Sequence, residues 1–372
     1  SLGKTKLSIF DALGAPFSVP VSSFIRSNIS SSKTMERLFN FKEKKYGYIS
    51  SQGFEFYSSW KRFLNSTGAE VNKIDFAEIN FRRKDTLLSF AYGKNPSSNF
   101  LDTSEELLIH QSFYDKEAFL NPWLNLVEEG YSLGFSNKLN ALHFDLNIFS
   151  GFKRSQDWFL KPNYYFQKTK NESKGLNLTL RNNILSKFMI GYTLGFLETN
   201  NGLFDNRFNG AFSIIEDTKS IFSSISLKSS LAKELSFIGS INYSNSSNIN
   251  SDKIIKNISG LEEFSFDFAL IKKSLFYKND FLSFRIKQDP RIEKARVSLN
   301  IPKGRNPNGV VEFKSVTLPI TPSGREINFE TSWSFHGDNG KSFINLSFID
   351  DKDHIKSKDI EINLIFAHQR FF

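Results

Sequence analysis

The sequence predicts an all-β fold, namely a transmembrane antiparallel β-barrel of about 12 strands that follows a less regular N-terminal segment. Three observations predict this fold. Apolar and polar residues alternate with a period of two along many segments, and aromatic residues make up 15% of the chain. In addition, the sequence contains no stretch of about 20 nearly uncharged apolar residues that could form a membrane-spanning helix.

The alternation gives each predicted strand one apolar face and one polar face, because successive side chains of a strand point to opposite sides. Phe264, Phe266 and Phe268, for example, alternate with Ser265 and Asp267. In a soluble β-sandwich the apolar faces would form the core, whereas in a membrane barrel they face lipid and the polar faces line the lumen. Charges in the middle of strands, such as Asp267, which we expect to face water, favour the barrel.

The candidate strands after residue 125 extend nearly without interruption to the end of the chain. They are 130–137, 141–151, 175–182, 188–198, 209–216, 220–229, 234–244, 262–272, 280–288, 294–301, 309–318, 325–335, 341–349 and 359–372. If the last strand ends in the periplasm, 350–358 is an outer loop and 336–340 is a short inner turn. The same count makes 245–260 an outer loop and 199–207 an inner turn, and the latter is long for its class.

The N-terminal part of the chain is less regular, and we therefore assign residues 1–115 to a pre-barrel segment and residues 116–372 to the barrel. Short strands are predicted at 4–10 and 17–24, and a hairpin at 79–92 that turns at Lys84-Asp85. A helix is predicted from Ser32, as its N-cap, to Lys45. We expect this helix or a neighbouring part of residues 26–78 either to fill the lumen or to form a subdomain beside the barrel.

The overall charge does not indicate a nucleic-acid partner. The formal net charge is +9 and the pI is about 9.3. However, the lysines and arginines are scattered, and no block of like charge reaches the length typical of a binding tail. The chain has no Cys, which excludes disulfides and Cys-ligated metals.

No catalytic constellation is recognisable, and we predict neither enzymatic activity nor a metal or other cofactor. His336-Gly337-Asp338 is interpreted as a turn, and no two of the five His stand at metal-ligand spacing. The predicted lumen instead contains charged residues that either pair with one another and hold the barrel in shape or contact a threaded segment. These residues are Glu198, Asp267, Arg285, Arg291, Arg325, Glu326 and Glu330.

The C-terminus has the pattern with which outer-membrane barrels typically end, an alternating strand with a terminal aromatic residue. Ile362, Leu364, Phe366 and Phe372 form this pattern, which resembles the signal that the barrel-assembly machinery recognises. His368 and Arg370 depart from it, because apolar residues are usual in that register.

Several segments, in order along the chain, resemble the C-terminal translocator region of subtilisin-like serine protease autotransporters. They are SIFDALGAPFSV (8–19), NPWLNLVEEGYSLGF (121–135), GYTLGFLETNNGLFDNRFNGAF (191–212), DFLSFRIKQDPRIEKARVSLNIP (280–302) and LPITPSGREINFETSW (318–333). The resemblance departs at Ala15, where Arg is usual, and at Asp289, which precedes Pro290.

The resemblance implies a monomeric barrel in the bacterial outer membrane that anchors an N-terminal passenger, a subtilase absent from this chain, and exports it. It implies as partners outer-membrane lipid and lipopolysaccharide, the barrel-assembly machinery and the chain's own passenger. Two alternatives remain open from the residues alone: a free-standing porin or channel, and a barrel enzyme that acts on lipid.

Overall fold

A computed structural model describes fifteen stretches of the chain. They are residues 6–10, 16–20, 43–49, 53–64, 70–94, 122–123, 127, 129–155, 169–185, 187–200, 216–251, 254–278, 280–337, 340–357 and 359–370. Among these residues, no helix has the length and hydropathy that a membrane span requires.

Strands dominate the described residues, as the alternation predicts. Their bounds are β1 Lys6–Phe10, β2 Pro16–Pro20, β3 Glu43–Ile49, β4 Phe54–Leu64, β5 Glu70–Arg83, β6 Thr86–Lys94, β7 Glu129–Leu139, β8 Leu142–Ser155, β9 Thr169–Leu185, β10 Phe188–Thr199, β11 Thr218–Ala232, β12 Leu235–Ser246, β13 Ile249–Asn250, β14 Ile255–Lys273, β15 Asp280–Arg305, β16 Val311–Pro319, β17 Ile327–Gly337, β18 Gly340–Asp350 and β19 Glu361–Arg370. A 3-10 turn covers Lys352–His354.

Strands β3 to β19 follow one another in a single sheet whose order is that of a barrel, and each pair with a defined register is antiparallel. The two-residue strand β13 and strand β16 are additions, because β12 also pairs with β14 and β15 with β17. The sheet therefore contains more strands than the sequence predicted, which was about 12.

The boundary expected at residue 115 is not a boundary of the sheet. Strand β6 pairs with β7 from Thr86↔Asn137 to Lys94↔Glu129, so strands β3 to β6 belong to the same sheet as the later strands. The hairpin predicted at 79–92 is confirmed as β5 and β6, with its turn at Lys84-Asp85. Its alternation revealed the strands, but alternation carries no information about which strand lies next to them.

The other N-terminal expectations have mixed outcomes. Strands β1 and β2 form a separate two-stranded sheet, and their bounds are close to those of the short strands predicted at 4–10 and 17–24. The end of the predicted helix is wrong, because residues 43–45 are part of strand β3, and residues 32–42 lie outside the described part of the chain. About half of the segment 26–78, part of which was expected to fill the lumen or to form a subdomain, is sheet, since β3, β4 and the first part of β5 lie in it.

The two ends of the sheet have different connections. At one end, the short-turn end, neighbouring strands are joined by tight turns at 84–85, 140–141 and 233–234, and β17 and β18 pair there up to Gly337↔Gly340. At the other, the long-loop end, the connections span 65–69, 95–128, 156–168, 200–217 and 351–360. The stretch from Thr199 to Arg207 was expected to be an inner turn; it instead begins at the long-loop end, because Thr199 pairs with Thr218 there.

The outer face of the sheet is apolar and exposed. Along β10, the outward residues Ile190, Tyr192 and Leu194 are 38–45% exposed, while Thr193 between them is 7% exposed. The same holds for other outward residues, among them Phe90, Tyr131, Leu133, Ile148, Leu176, Ile221, Ile225, Ile241, Phe284, Phe329, Phe348, Ile362, Leu364 and Phe366.

The inner face is mostly polar and buried. Buried residues on this face include Asp145, Asn147, Asn177, Thr179, Asn242, Ser244, Asp267, Ser283, Arg285 and Ser332. Towards the long-loop end, the interior also contains an apolar cluster, formed by Trp123, Val127, Phe149, Leu197, Phe222, Ile249, Ile255, Ile258, Leu261, Ala295, Val297, Leu299 and Ile320. The chain is thus inverted relative to a soluble protein, in which a large apolar surface is buried.

Candidate functional site

A buried charge cluster on the inner wall of β14, β15 and β17 forms the centre of the polar interior. Arg285 donates from Nε to Asp267 Oδ1 at 2.8 Å and from Nη2 to the other oxygen of the same carboxylate. Its Nη1 lies 3.4 Å from Glu330 Oε2. One guanidinium therefore joins two carboxylates from two different strands, in the bidentate geometry that gives the strongest ion pairs.

Lys287 extends this cluster towards the long-loop end. Its Nζ lies 3.5 Å from Asp289 Oδ1 and 3.9 Å from Glu330 Oε1. Asn328 donates to the same Glu330 oxygen at 2.9 Å. Asp267 does not face open water, contrary to the expectation from the sequence, because it is 4% exposed and its carboxylate accepts two bonds from Arg285.

A second cluster lies where β15 approaches the segment before β17. Arg291 donates to the carbonyl oxygens of Gly324 and Pro322 at 2.8 and 3.1 Å, and to Glu293 at 2.7 Å. Arg325 reaches the same Glu293 carboxylate at 2.8 Å. These bonds fasten the 320–326 segment to β15, so two of the residues predicted from sequence share one carboxylate that the sequence analysis did not single out.

At the rim of the long-loop end lies the rim clasp, residues 351–357 together with 323–326, two segments joined by hydrogen bonds. Glu326 N–H donates to His354 Nδ1 at 2.9 Å, which leaves the ring proton on Nε2, 3.3 Å from the Pro290 carbonyl oxygen. Asp353 N–H donates to the Glu326 carboxylate at 2.6 Å. His354 is 5% exposed, and the 3-10 turn presents it inward.

Burial sets the protonation of the clasp. It lowers the pKa of His354 below its ordinary value, which keeps the ring neutral. Burial and the nearby Asp289 carboxylate raise the pKa of Glu326 to about 7. Backbone N–H groups of Ser357 and Arg325 hold the pKa of Asp351 below its ordinary value. The clasp therefore combines Asp351, whose ionised form is stabilised, with Glu326, which titrates near neutrality.

The structure places Glu198 differently from the expectation. Glu198 shares the outward register of Tyr192 and Leu194, pairs across the strands with Lys174 and makes an ion pair with it at 3.2 Å. It therefore lies on the outer face near the long-loop end and not in the lumen. The inward-facing Asp145 and Arg181 form an ion pair at 2.6 Å, which the sequence analysis did not predict.

A group of three residues from the β6–β7 connection lies inside the sheet, and we call Pro122, Trp123 and Val127 the inner anchor. Trp123 is 2% exposed and Val127 0% exposed. The Trp123 ring stacks on Phe222, with centroids 5.8 Å apart and planes at 19°. Its Nε1 donates to Glu263 at 3.1 Å.

The site residues thus fall into three groups. Asp267, Arg285 and Glu330 come together, Arg291 and Arg325 meet through Glu293, and Glu326 belongs to the rim clasp. Within the described residues, no group of three or more metal-ligating side chains occurs. The C-terminal residues Ile362, Leu364 and Phe366 lie on the outer face of β19 and are 61–72% exposed. Phe372 lies outside the described residues.

Comparison with known proteins gives structural likenesses only. Neither protein-family models nor curated protein sequences match the chain. Among solved structures, OmpT of Vibrio cholerae, an outer membrane protein, aligns with a TM-score of 0.47 and 9% identity over 88% of this chain and 89% of that one. OmpF of Salmonella typhi gives 0.44 and 12% over 88% of each chain, and OprB of Pseudomonas putida gives 0.39 and 11% over 88% and 90%.

Proposed function

We propose that the chain is a β-barrel of the bacterial outer membrane, closed around a polar interior that serves as a conduit. The observation that carries this proposal is the inverted distribution of residues, with exposed aromatic and aliphatic side chains outside and buried ion pairs inside. In water such an outer face would be a liability, whereas in lipid it is the required surface. Closure follows because a sheet edge in lipid leaves unpaired backbone groups.

Fractionation and gel mobility test this proposal. The protein is expected in the outer membrane fraction, and the folded barrel should migrate differently before and after boiling. Recovery of a monodisperse, detergent-free protein from the soluble fraction would contradict it.

A second, finer function is the translocator role implied by the sequence resemblance, and the direction of β3 favours it. Glu43, the first residue of β3, pairs with Lys61 near the long-loop end, whereas β19 ends at the short-turn end, where Arg370 pairs with Gly340. Barrels place short turns in the periplasm and long loops outside the cell. Strand β3 therefore begins on the outer side, the side on which a passenger would be displayed.

Cysteine labelling on intact cells separates the translocator from a porin with both termini in the periplasm. The chain has no native Cys, so single substitutions report one position each. Ser31→Cys should react with a membrane-impermeant maleimide as readily as Ser357→Cys in the rim clasp. Asp85→Cys, in a short turn, should stay unlabelled until the membrane is permeabilised. If Ser31→Cys behaves like Asp85→Cys, the translocator role fails and the conduit stands.

Two further expectations from the sequence belong to this proposal. The outer face of β19, with Ile362, Leu364 and Phe366, is the surface we assign to recognition by the barrel-assembly machinery. Outer-membrane lipid and lipopolysaccharide contact the remaining outer face, and the barrel acts as a monomer.

A further inference from the structure

The inner wall of β8 to β14 contains a recess that receives the inner anchor. At one level across these strands, the inward residues pair in sequence as a row: Asn147, Asn177, Gly195, Phe222, Ser244 and Glu263. A Cβ at Gly195 would lie 2.1 Å from the Phe222 ring. Phe222 therefore lies flat over a position where only glycine leaves room.

Trp123 occupies the space above this row. Its indole stacks on Phe222, and its N–H reaches the Glu263 carboxylate, which also accepts a bond from Ser244 at 3.2 Å. A buried carboxylate requires such donors, since an unpaired one is costly. The indole thus bridges β11 and β14 on the lumen side, at the level of Ser244 of β12, which is fully buried between them.

The other two residues of the inner anchor are fitted in the same way. A Cβ at Gly151 would lie 2.6 Å from Val127 Cγ1, so β8 also makes room for the anchor with a glycine. Pro122 lines a cavity of about 20 Å³ beside Asp267 and Gln288, which is room for about one water molecule. The anchor therefore lies along the lumen wall from β8 to β15.

From this geometry we propose that the inner anchor is a resident constriction, in which Trp123 determines how wide the lumen is and what size of solute passes it. The inference rests on the proposed conduit. The apolar cluster around Val127, Phe149 and Leu197 holds the anchor in place. Glu263 fixes the orientation of Trp123, and Gly195 provides the depth that Phe222 needs to lie beneath it.

Single-channel conductance in planar bilayers tests the constriction. Trp123→Ala should raise the conductance about twofold or more, since loss of the indole widens the aqueous cross-section. Gly195→Ala should lower the conductance, because the added Cβ pushes Phe222, and the indole stacked on it, away from the wall and into the lumen. Gly239→Ala is the matched control: its Cβ would lie 2.4 Å from the Phe268 ring, but on the outer face, so the conductance should not change.

A second readout does not depend on conductance. Ser244→Cys, beneath the indole, should resist a small thiol reagent in the otherwise native chain and react at least about tenfold faster when combined with Trp123→Ala. Ser347→Cys, on the inner face of β18, should react equally in both backgrounds. All variants are first required to show the heat-modifiable band of a folded barrel.

The outcomes separate the two proposals. Unchanged labelling of Ser244→Cys in a folded Trp123→Ala barrel would overturn the constriction, whatever the conductance. Faster labelling without any channel activity in the native chain or its variants would support the inner anchor and overturn the conduit.

Discussion

Leucine-to-lysine substitutions on the outer face distinguish a lipid-facing surface from a water-facing one. Leu194 is 44% exposed and is the seventh of the 12 residues of β10. Twelve residues rising about 3.4 Å each, tilted by about 40°, cross about 30 Å of membrane, which places Leu194 near the midplane. Lys there should cost about 2–4 kcal/mol in a membrane barrel. At an exposed position of a soluble protein, the same change stays within about 0.5 kcal/mol.

The assay is reversible folding into lipid vesicles with a urea titration, read by gel mobility and tryptophan fluorescence. Leu139→Lys is the matched control, because Leu139 is the last residue of β7, at the short-turn end, and is 63% exposed. Its expected cost is about 0–1 kcal/mol, as for charges near the membrane interface. Equal free energies of unfolding for the two variants would refute the lipid-facing assignment of β10.

Two further predictions concern the interior and the rim. Arg285→Met leaves Asp267 and Glu330 without their shared guanidinium and should lower the free energy of unfolding by about 3–5 kcal/mol. The control Lys294→Met breaks an exposed pair with Glu262 and should have no measurable effect in the same urea titration. Equal effects would mean that Asp267, Arg285 and Glu330 are not a buried unit. In the rim clasp, the pKa of Glu326 is raised to about 7, so protonated Glu326 stabilises the clasp. This stabilisation is complete below the ordinary pKa of 4.5 and is lost as the pH rises through about 7. An environment-sensitive dye on Ser357→Cys should therefore report a transition near pH 7 that disappears with Glu326→Gln and persists with the control Glu262→Gln; a transition retained in Glu326→Gln would contradict the assignment.

Local patterns predicted the strands and tight turns well, since both depend on neighbouring residues. The hairpin at Lys84-Asp85 has its expected place, and β17 and β18 pair up to Gly337↔Gly340, within the range expected for a turn. Which strands join one sheet depends on pairings between distant residues, which a period of two does not encode. The assignment of residues 1–115 to a pre-barrel segment failed for that reason, although part of that region had been recognised as β-structure.

For the candidate site, too, the sequence predicted the face on which a residue lies but not the residue with which it pairs. Alternation puts Asp267, Arg285 and Glu330 on the inner face, and the structure agrees. The residue directly across from Asp267 is Lys287, yet Arg285 takes the carboxylate by reaching diagonally. Which residues lie diagonally depends on the register of β14 and β15, which also shifts between Phe264 and Phe266, and register leaves no mark in an alternating pattern.

The sequence analysis was wrong about Glu198 and Trp123 in opposite ways. It placed Glu198 inside the barrel, although it lies on the outer face, and it did not single out Trp123, which lies inside. Glu198 was placed in the lumen for its charge, although it shares the register of the lipid-facing residues of β10 and pairs with Lys174. Trp123 was overlooked because it lies in a connection between strands, where periodicity gives no face. A usable signal was present in the wall itself: glycines at inward positions opposite Phe149 and Phe222 mark places where bulky side chains lie flat against the sheet. Because strands lose stability at glycine, several such positions on one inner face indicate that something is held there.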